Sequence, residues 1–145
     1  MNYTSLTKEQ KLKLSTIGEL KQTDYESATI KEELRKNLIA AKRKGTQVFE
    51  GIWGYEDTVI PDVERAILSR HNINFLGLRG QAKTRMARMM TLLLDEVIPV
   101  VKGSPLNDDP LHPISRYAID AIAEHGDQTP IAWMHRSERY TEKLA

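Results

Sequence analysis

The sequence predicts an α/β fold that is mostly helical, with one or two short strands. Apolar residues recur at helical spacing over several segments, and two short apolar runs have the composition of strands. A glycine-bearing turn also stands between one of these runs and a helix, as α/β folds require. The 145 residues, 40% of them hydrophobic, are enough to bury a core. We divide the chain into an N-terminal helical segment, 1–45, and a second part, 46–145.

The charge balance and the lack of cysteine exclude several classes of function. Twenty-one Lys and Arg against 20 Asp and Glu give a formal charge of +1, so no overall field attracts nucleic acid or an anionic membrane. Without cysteine there is no disulfide, no thiolate nucleophile and no cysteine-ligated metal. The N-terminus does not read as a leader, and no apolar run is long enough to span a membrane. We therefore expect a cytoplasmic protein that binds neither nucleic acid nor membrane.

Two capping boxes predict the first helices. Thr7 and Gln10 form one box, and Thr29 and Glu32 form the other. The helix after Thr29 has apolar residues at four-residue spacing, then a basic end and a glycine: Ile30, Leu34, Leu38, Lys42, Arg43, Lys44 and Gly45. The basic end either meets a phosphate or faces water against the negative end of the helix dipole, and the second interpretation is favoured.

A third helix and a short strand precede the turn. Thr58 is a helix cap, Pro61 fits the first helical turn, and the helix extends to Asn72. Its buried stripe is Ile60, Val63 and Ile67. The apolar run 73–76 follows at once and predicts a strand.

Two helices, a loop and a second strand follow the turn. Methionines and leucines at helical spacing predict a helix from Thr84 to about Val97, which Pro99 ends. The methionines are read as packing residues. Residues 103–113 predict a loop, 114–124 a helix that ends near Gly126, and 130–134 a second short strand.

The turn at 77–84 is the candidate for chemistry. It reads Gly77-Leu78-Arg79-Gly80-Gln81-Ala82-Lys83-Thr84 and matches the phosphate-binding pattern G-x-x-x-x-G-K-[ST] with one departure, because Ala82 replaces the second glycine. Such a loop points its amides at anionic oxygens and opens a helix whose positive dipole end faces the phosphate. A strand before Gly77 and a helix after Lys83 give that order.

Each residue of the turn has a predicted role. Lys83 lies as a point charge on the outer phosphates, Thr84 ligates Mg²⁺, and the amides of Gly80, Gln81, Ala82, Lys83 and Thr84 hold the inner phosphates. If the backbone at Ala82 is helical, the methyl group crowds the nucleotide only slightly. If it needs positive φ, alanine costs about 1–2 kcal/mol. The alternative is an ordinary strand-to-helix turn with a solvated Lys83.

Several segments together resemble the ATPase subunit of magnesium chelatase and its AAA+ relatives. They are Gly54-Tyr55-Glu56-Asp57, residues 63–68, residues 74–85, and the later runs 108–113 and 139–144. The resemblance implies part of a P-loop AAA+ nucleotide-binding core that binds ATP and Mg²⁺. It also implies that Gly54 and Tyr55 approach the adenine, that Lys83 and Thr84 keep their roles, and that the chain works as a homo-oligomer or with a complementary ATPase fragment.

The chain departs from that family after the turn. The sequence predicts no apolar strand ending in paired acids: Leu94-Asp95-Glu96 falls at the end of a helix, and Asp108-Asp109 follows no predicted strand. The second acidic motif, the sensor residues and the trans-acting arginine are expected beyond Ala145. We therefore interpret residues 46–145 as an incomplete ATPase domain, truncated or split, that binds ATP with little or no independent hydrolysis.

Two other functions remain open. Partner subunits would complete an active ATPase by supplying Glu or Arg groups, whereas a helical interaction module would carry the loop only as a vestige. The client protein, the pathway and the oligomeric state are not encoded in any recognisable motif. The four histidines lack metal-ligand spacing, so surface or capping roles are favoured for His71, His112, His125 and His135.

Overall fold

The structure is a computed structural model that describes residues 2–46, 59–73 and 80–140. The mixed α/β class is confirmed: helices dominate the described residues, and two short strands pair antiparallel. The elements in chain order are α1 (Lys8–Leu12), α2 (Ile17–Lys21), α3 (Ile30–Lys44), α4 (Val59–Leu68), α5 (Gly80–Thr91), β1 (Val97–Val101), α6 (Arg116–His125) and β2 (Ile131–His135). Short 3₁₀ turns cover Tyr3–Ser5, Gly126–Gln128 and Arg136–Arg139.

The described residues form two compact units. The strand unit contains residues 2–27 and 96–135, and the helical unit contains 28–46, 59–73, 80–95 and 136–140. Each unit has its own apolar core. This grouping reflects packing alone, and the division into domains at residue 45 stays a prediction.

The strand unit is built on the β1–β2 ladder. Val97 pairs with His135 at one end of the ladder and Val101 pairs with Ile131 at the other. Ile131 is buried together with Ile17 and Leu20 of α2. Trp133 packs at the edge of this cluster and donates its indole N–H to the carbonyl of Leu14 at 2.9 Å. A short sheet that would be marginal alone is thus covered by helices on one face.

The predicted helix from Thr84 to Val97 was wrong at both ends. α5 begins at Gly80 and ends at Thr91, and Val97 opens β1. The helix tightens before it ends, because the N–H groups of Leu92 and Leu93 donate to carbonyls three residues back. The β-branched run around Pro99 favours a strand, and proline is tolerated there because each strand of a two-stranded sheet has one unpaired edge.

The helix predicted to extend to Asn72 is α4, which ends four residues earlier, at Leu68, because Arg70 has a left-handed backbone. Most of the other predicted elements agree with the structure. The strand predicted at 130–134 is β2, and the helix predicted at 114–124 is α6, whose cap is Ser115. Thr7 and Gln10 form the predicted capping box, and Gly45 ends α3 in the left-handed conformation. The strand predicted at 73–76 lies outside the described residues except for Ile73, which is not in a strand.

The core of the helical unit lies between α3, α4 and α5. Its buried residues are Leu38, Val63, Ile67, Met86 and Leu93. The predicted stripes of α3 and α4 and the packing role of the methionines are therefore confirmed in this unit. The first residue of the α3 stripe is the exception, since Ile30 is 57% exposed. The basic end of α3 also has a partner, because Lys42 forms an ion pair with Glu64 of α4.

A buried carboxylate joins three parts of the helical unit. Glu33 of α3 is 3% exposed and accepts two hydrogen bonds from the guanidinium of Arg139, at 2.7 and 3.1 Å. It also accepts the backbone N–H of Asp95 at 2.6 Å. A bidentate pair with a third donor satisfies most of the carboxylate's acceptor sites, which is the condition under which burial of an ion pair is tolerated.

We predict that Glu33→Ala destabilises the protein by about 3–5 kcal/mol, because it leaves the Arg139 guanidinium buried without its partner. Chemical denaturation of Glu33→Ala, Arg139→Ala and the double variant measures the coupling. The double variant should lose clearly less than the sum of the single losses. Glu32→Ala, at the exposed neighbouring position, serves as the control and should cost no more than about 1 kcal/mol, because it removes only an acid that is favoured by the helix dipole. Equal losses at positions 32 and 33 would contradict the prediction.

Candidate functional site

The predicted phosphate-binding turn leads into α5. This helix has 12 residues and begins at Gly80, inside the turn, four residues before the predicted start at Thr84. Gln81, Ala82 and Lys83 are all good helix formers, which accounts for the earlier start. The positive end of the helix dipole therefore lies at Gly80.

The helical start limits which amides are free. In an α-helix the N–H groups of the first turn have no intrahelical acceptor, whereas each later N–H donates to the carbonyl four residues back. The Thr84 amide lies four residues after Gly80 and is used within the helix. The amides of Gly80, Gln81 and Ala82 thus have no acceptor within the helix, whereas the Thr84 amide, which the sequence also assigned to phosphate, has one.

The backbone at Ala82 answers one question left open by the sequence. Ala82 is the third residue of α5 and has helical conformation. Alanine is the residue most favoured in a helix, so this position carries no penalty for the missing glycine. Of the two alternatives considered above, the structure supports the one in which a helical backbone tolerates the methyl group.

The remaining predicted site residues are outside the described part of the chain. Gly54, Tyr55 and Gly77 lie in the undescribed segments, and so does the cap Thr58. The side chains of Gln81, Lys83 and Thr84 are likewise outside it, although their backbone belongs to α5. Their predicted roles toward phosphate and Mg²⁺ stay predictions.

The carboxylates near the end of α5 are engaged in local contacts. Asp95 and Glu96 lie in the turn between α5 and β1, not in the helix as predicted. Asp95 accepts the side-chain amide of Asn37 at 3.0 Å and pairs with Lys36 at 3.5 Å. Glu96 pairs with Lys8 at 3.0 Å.

Asp108 is buried and holds the loop between β1 and α6. Its Oδ2 accepts the backbone N–H groups of Ile114 and Ser115 at 2.7 and 2.8 Å, and its Oδ1 accepts the hydroxyls of Ser104 and Ser115. Burial by itself would raise the pKa of this carboxyl. The hydrogen bonds outweigh burial and hold the pKa well below its usual range. The arrangement leaves little acceptor capacity for a catalytic water, so we assign Asp108 a structural role.

The described residues contain neither a cluster of metal ligands nor a membrane-spanning helix. Residues 2–46, 59–73 and 80–140 contain no group of three or more His, Asp or Glu side chains arranged to hold a metal ion. Within the same ranges, every helix is too short or too polar to cross a bilayer.

A cavity of about 610 Å³ opens on the helical unit. It lies between the start of α3, the end of α4 and the second half of α5. The apolar part of its wall includes Ile30, Leu34, Ile67, Ile73, Ala87, Met90 and Leu94. Its volume falls in the range of small-molecule sites. No local pattern in the sequence predicts this cavity, because its wall comes from segments that are distant along the chain.

Comparison of the chain with known protein families, with curated proteins and with solved structures finds no match. Two features of the structure therefore indicate a function. They are the start of α5 inside a phosphate-binding pattern and the cavity of the helical unit.

We predict that Asp108→Ala destabilises the protein by at least about 3 kcal/mol near neutral pH, because it removes the acceptor of the Ile114 and Ser115 N–H groups and of the Ser104 and Ser115 hydroxyls. Denaturant unfolding followed by circular dichroism measures the loss. Asp109→Ala is the matched control, since the Asp109 side chain accepts one hydrogen bond within the described residues, from the N–H of Leu111.

The same carboxylate should make stability depend on acid pH. The pKa of Asp108 is lowered in the folded protein, so its contribution is fully present above the ordinary pKa of 3.8 and decreases as the pH falls toward the lowered value. The difference in unfolding free energy between the wild type and Asp108→Ala should therefore shrink as the pH falls below about 4. A difference that stayed constant down to pH 2 would contradict this assignment.

Proposed function

We propose that this chain binds a nucleoside triphosphate, ATP in the first instance, at the start of α5. The single observation that carries the proposal is that a 12-residue helix begins at Gly80, inside a sequence that matches a phosphate-binding loop at every position but one. A helix start of this kind offers free amides and a positive dipole end to an anion. The proposal includes the resemblance to the magnesium chelatase ATPase subunit and an AAA+ core.

Each group at the helix start has a role in this proposal. The amides of Gly80, Gln81 and Ala82 would contact phosphate oxygens, and the Lys83 ammonium would neutralise the outer phosphates. The Thr84 hydroxyl would ligate a Mg²⁺ ion that bridges the phosphates. Magnesium prefers oxygen ligands and keeps several waters, so one hydroxyl and the phosphates suffice as its contacts here.

Binding with little or no independent hydrolysis is the activity that we propose. ATP hydrolysis needs a residue that positions the attacking water. Three carboxylates that follow the turn, Asp95, Glu96 and Asp108, are engaged in ion pairs or hydrogen bonds. Completion of the site by a second copy or by a complementary ATPase fragment is part of the proposal.

A second candidate function is an interaction module in which the turn no longer binds nucleotide. The cavity of the helical unit favours it, because a mostly apolar recess on a small protein is a feature of binding sites. The two candidates differ in whether affinity for nucleotide depends on Lys83.

We predict that Lys83→Ala weakens binding of a fluorescent ATP analogue by at least about tenfold in the presence of Mg²⁺, since it removes a charge-assisted contact to the phosphates. Equilibrium fluorescence anisotropy with and without Mg²⁺ measures this. Arg85→Ala, an exposed cation two residues further along the helix, is the control and should leave affinity unchanged. If Lys83→Ala binds the analogue as well as the wild type, the turn is vestigial and the interaction module is the better account.

Replacing Ala82 with the glycine of the phosphate-binding pattern should change the affinity for nucleotide only slightly. Because the backbone at Ala82 is helical, we predict that Ala82→Gly changes the affinity for the ATP analogue by less than about threefold. It should also lower the thermal midpoint slightly, because glycine costs about 1 kcal/mol relative to alanine inside a helix. An increase in affinity of tenfold or more would show that the bound state needs a backbone conformation that alanine resists.

A further inference from the structure

We propose that the cavity of the helical unit is a second binding site, specific for a small amphipathic anion: an apolar body of modest size that carries one anionic head group. Three features support this site: the apolar wall of the cavity, the cations that line it, and the left-handed backbone of Arg70. It is independent of nucleotide binding at α5.

The wall of the cavity is mostly apolar, and the charged side chains that line it among the described residues are cations. They are Lys31, Arg70 and Arg139; His71 also lines the cavity, and no Asp or Glu of the described residues does. Glu33 neutralises Arg139. Lys31 and Arg70 make no side-chain hydrogen bond or ion pair within residues 2–46, 59–73 and 80–140. Two exposed cations without a partner in the described part of the chain therefore lie beside an apolar recess.

The backbone places Arg70 at this rim against its local preference. α4 ends in a Schellman motif, in which His71 N–H donates to the carbonyl of Ala66 at 2.9 Å and Arg70 N–H donates to that of Ile67 at 3.1 Å. Arg70 occupies the left-handed position of this motif with φ of 60°. Glycine is the residue that this position favours, because a Cβ is strained there.

Lys31 is also placed against a local preference. It is the second residue of α3, where the helix dipole is positive and acidic residues are favoured. Two cations that each oppose the local backbone preference thus meet at one cavity. The two cations complement an anionic head group beside the apolar wall. The volume of about 610 Å³ falls within the range of small-molecule sites.

A matched pair of fluorescent probes tests this proposal. Anilinonaphthalene sulfonate has an apolar body and one anionic head, and N-phenylnaphthylamine is a similar body without charge. We expect Arg70→Gly to weaken binding of the sulfonate about tenfold while changing binding of the neutral probe little. Lys31→Glu should have the same selective effect. Ala87→Phe, which fills the recess, should weaken binding of both probes.

Control variants outside the cavity test whether the effects on probe binding are specific to it. Lys44→Glu changes the charge at the other end of α3 and should leave binding of both probes unchanged. Lys83→Ala should also leave it unchanged, so that this proposal and nucleotide binding fail separately. Decanoate should displace the sulfonate probe, and decanol should do so at least about tenfold less well.

The thermal stability of Arg70→Gly shows whether weaker binding results from unfolding. Because the substitution removes a strained left-handed residue, it should raise the thermal midpoint while weakening binding of the sulfonate probe. Asn107→Gly, at a left-handed position in the strand unit, should change probe binding little. Arg70→Lys should retain binding. The proposal is overturned if Arg70→Gly and Lys31→Glu bind the sulfonate as the wild type does, or if they weaken both probes equally.

Discussion

The buried carboxylate of Glu33 is the interaction on which the helical unit depends most. It lies in the first turn of α3, where residues 30–32 are exposed, yet it accepts hydrogen bonds from Arg139 and from the backbone of Asp95. These three contacts connect α3 with the turn after α5 and with residues 136–139. Because the pair is buried, neither charge can be removed without leaving the other desolvated. The same pair holds Arg139 in place where it lines the cavity.

The two candidate sites of the helical unit would bind their ligands through different interactions. At the start of α5, an anion would be held by backbone amides and by the helix dipole, so recognition would concern phosphate and little else. At the cavity, an apolar wall would provide contact area and the rim cations would select the charge of the head group. Cations held in locally unfavourable positions are expected where function, and not stability, determines the residue. Arg70 and Lys31 fit that description.

The two pairs of adjacent acids, Asp95-Glu96 and Asp108-Asp109, have contacts that their local sequence does not predict. A pair of adjacent acids at the end of a buried strand is a candidate for metal or water activation, and the sequence placed neither Asp95-Glu96 nor Asp108-Asp109 after a predicted strand. In the structure, Asp108 is held by hydroxyls and amides of its own loop, and the lowered pKa reflects those hydrogen bonds. Asp95 and Glu96 make contacts with α3 and with Lys8, respectively. None of these partners is adjacent to its acid in sequence, so the pattern alone does not distinguish a structural acid from a catalytic one.

Local signals in the sequence determined most of the helices. The capping residues Thr7 and Thr29, the left-handed Gly45 and the stripe of Val63 and Ile67 act within one or two helical turns, so they can be read without knowledge of the fold. Only the tertiary structure decided that Val97 to Val101 forms a strand, because a strand depends on its partner, here β2, whose paired residues are 30 to 38 positions away. The same holds for the Glu33 pair and for the cavity, whose residues come together only when α3, α4 and α5 pack.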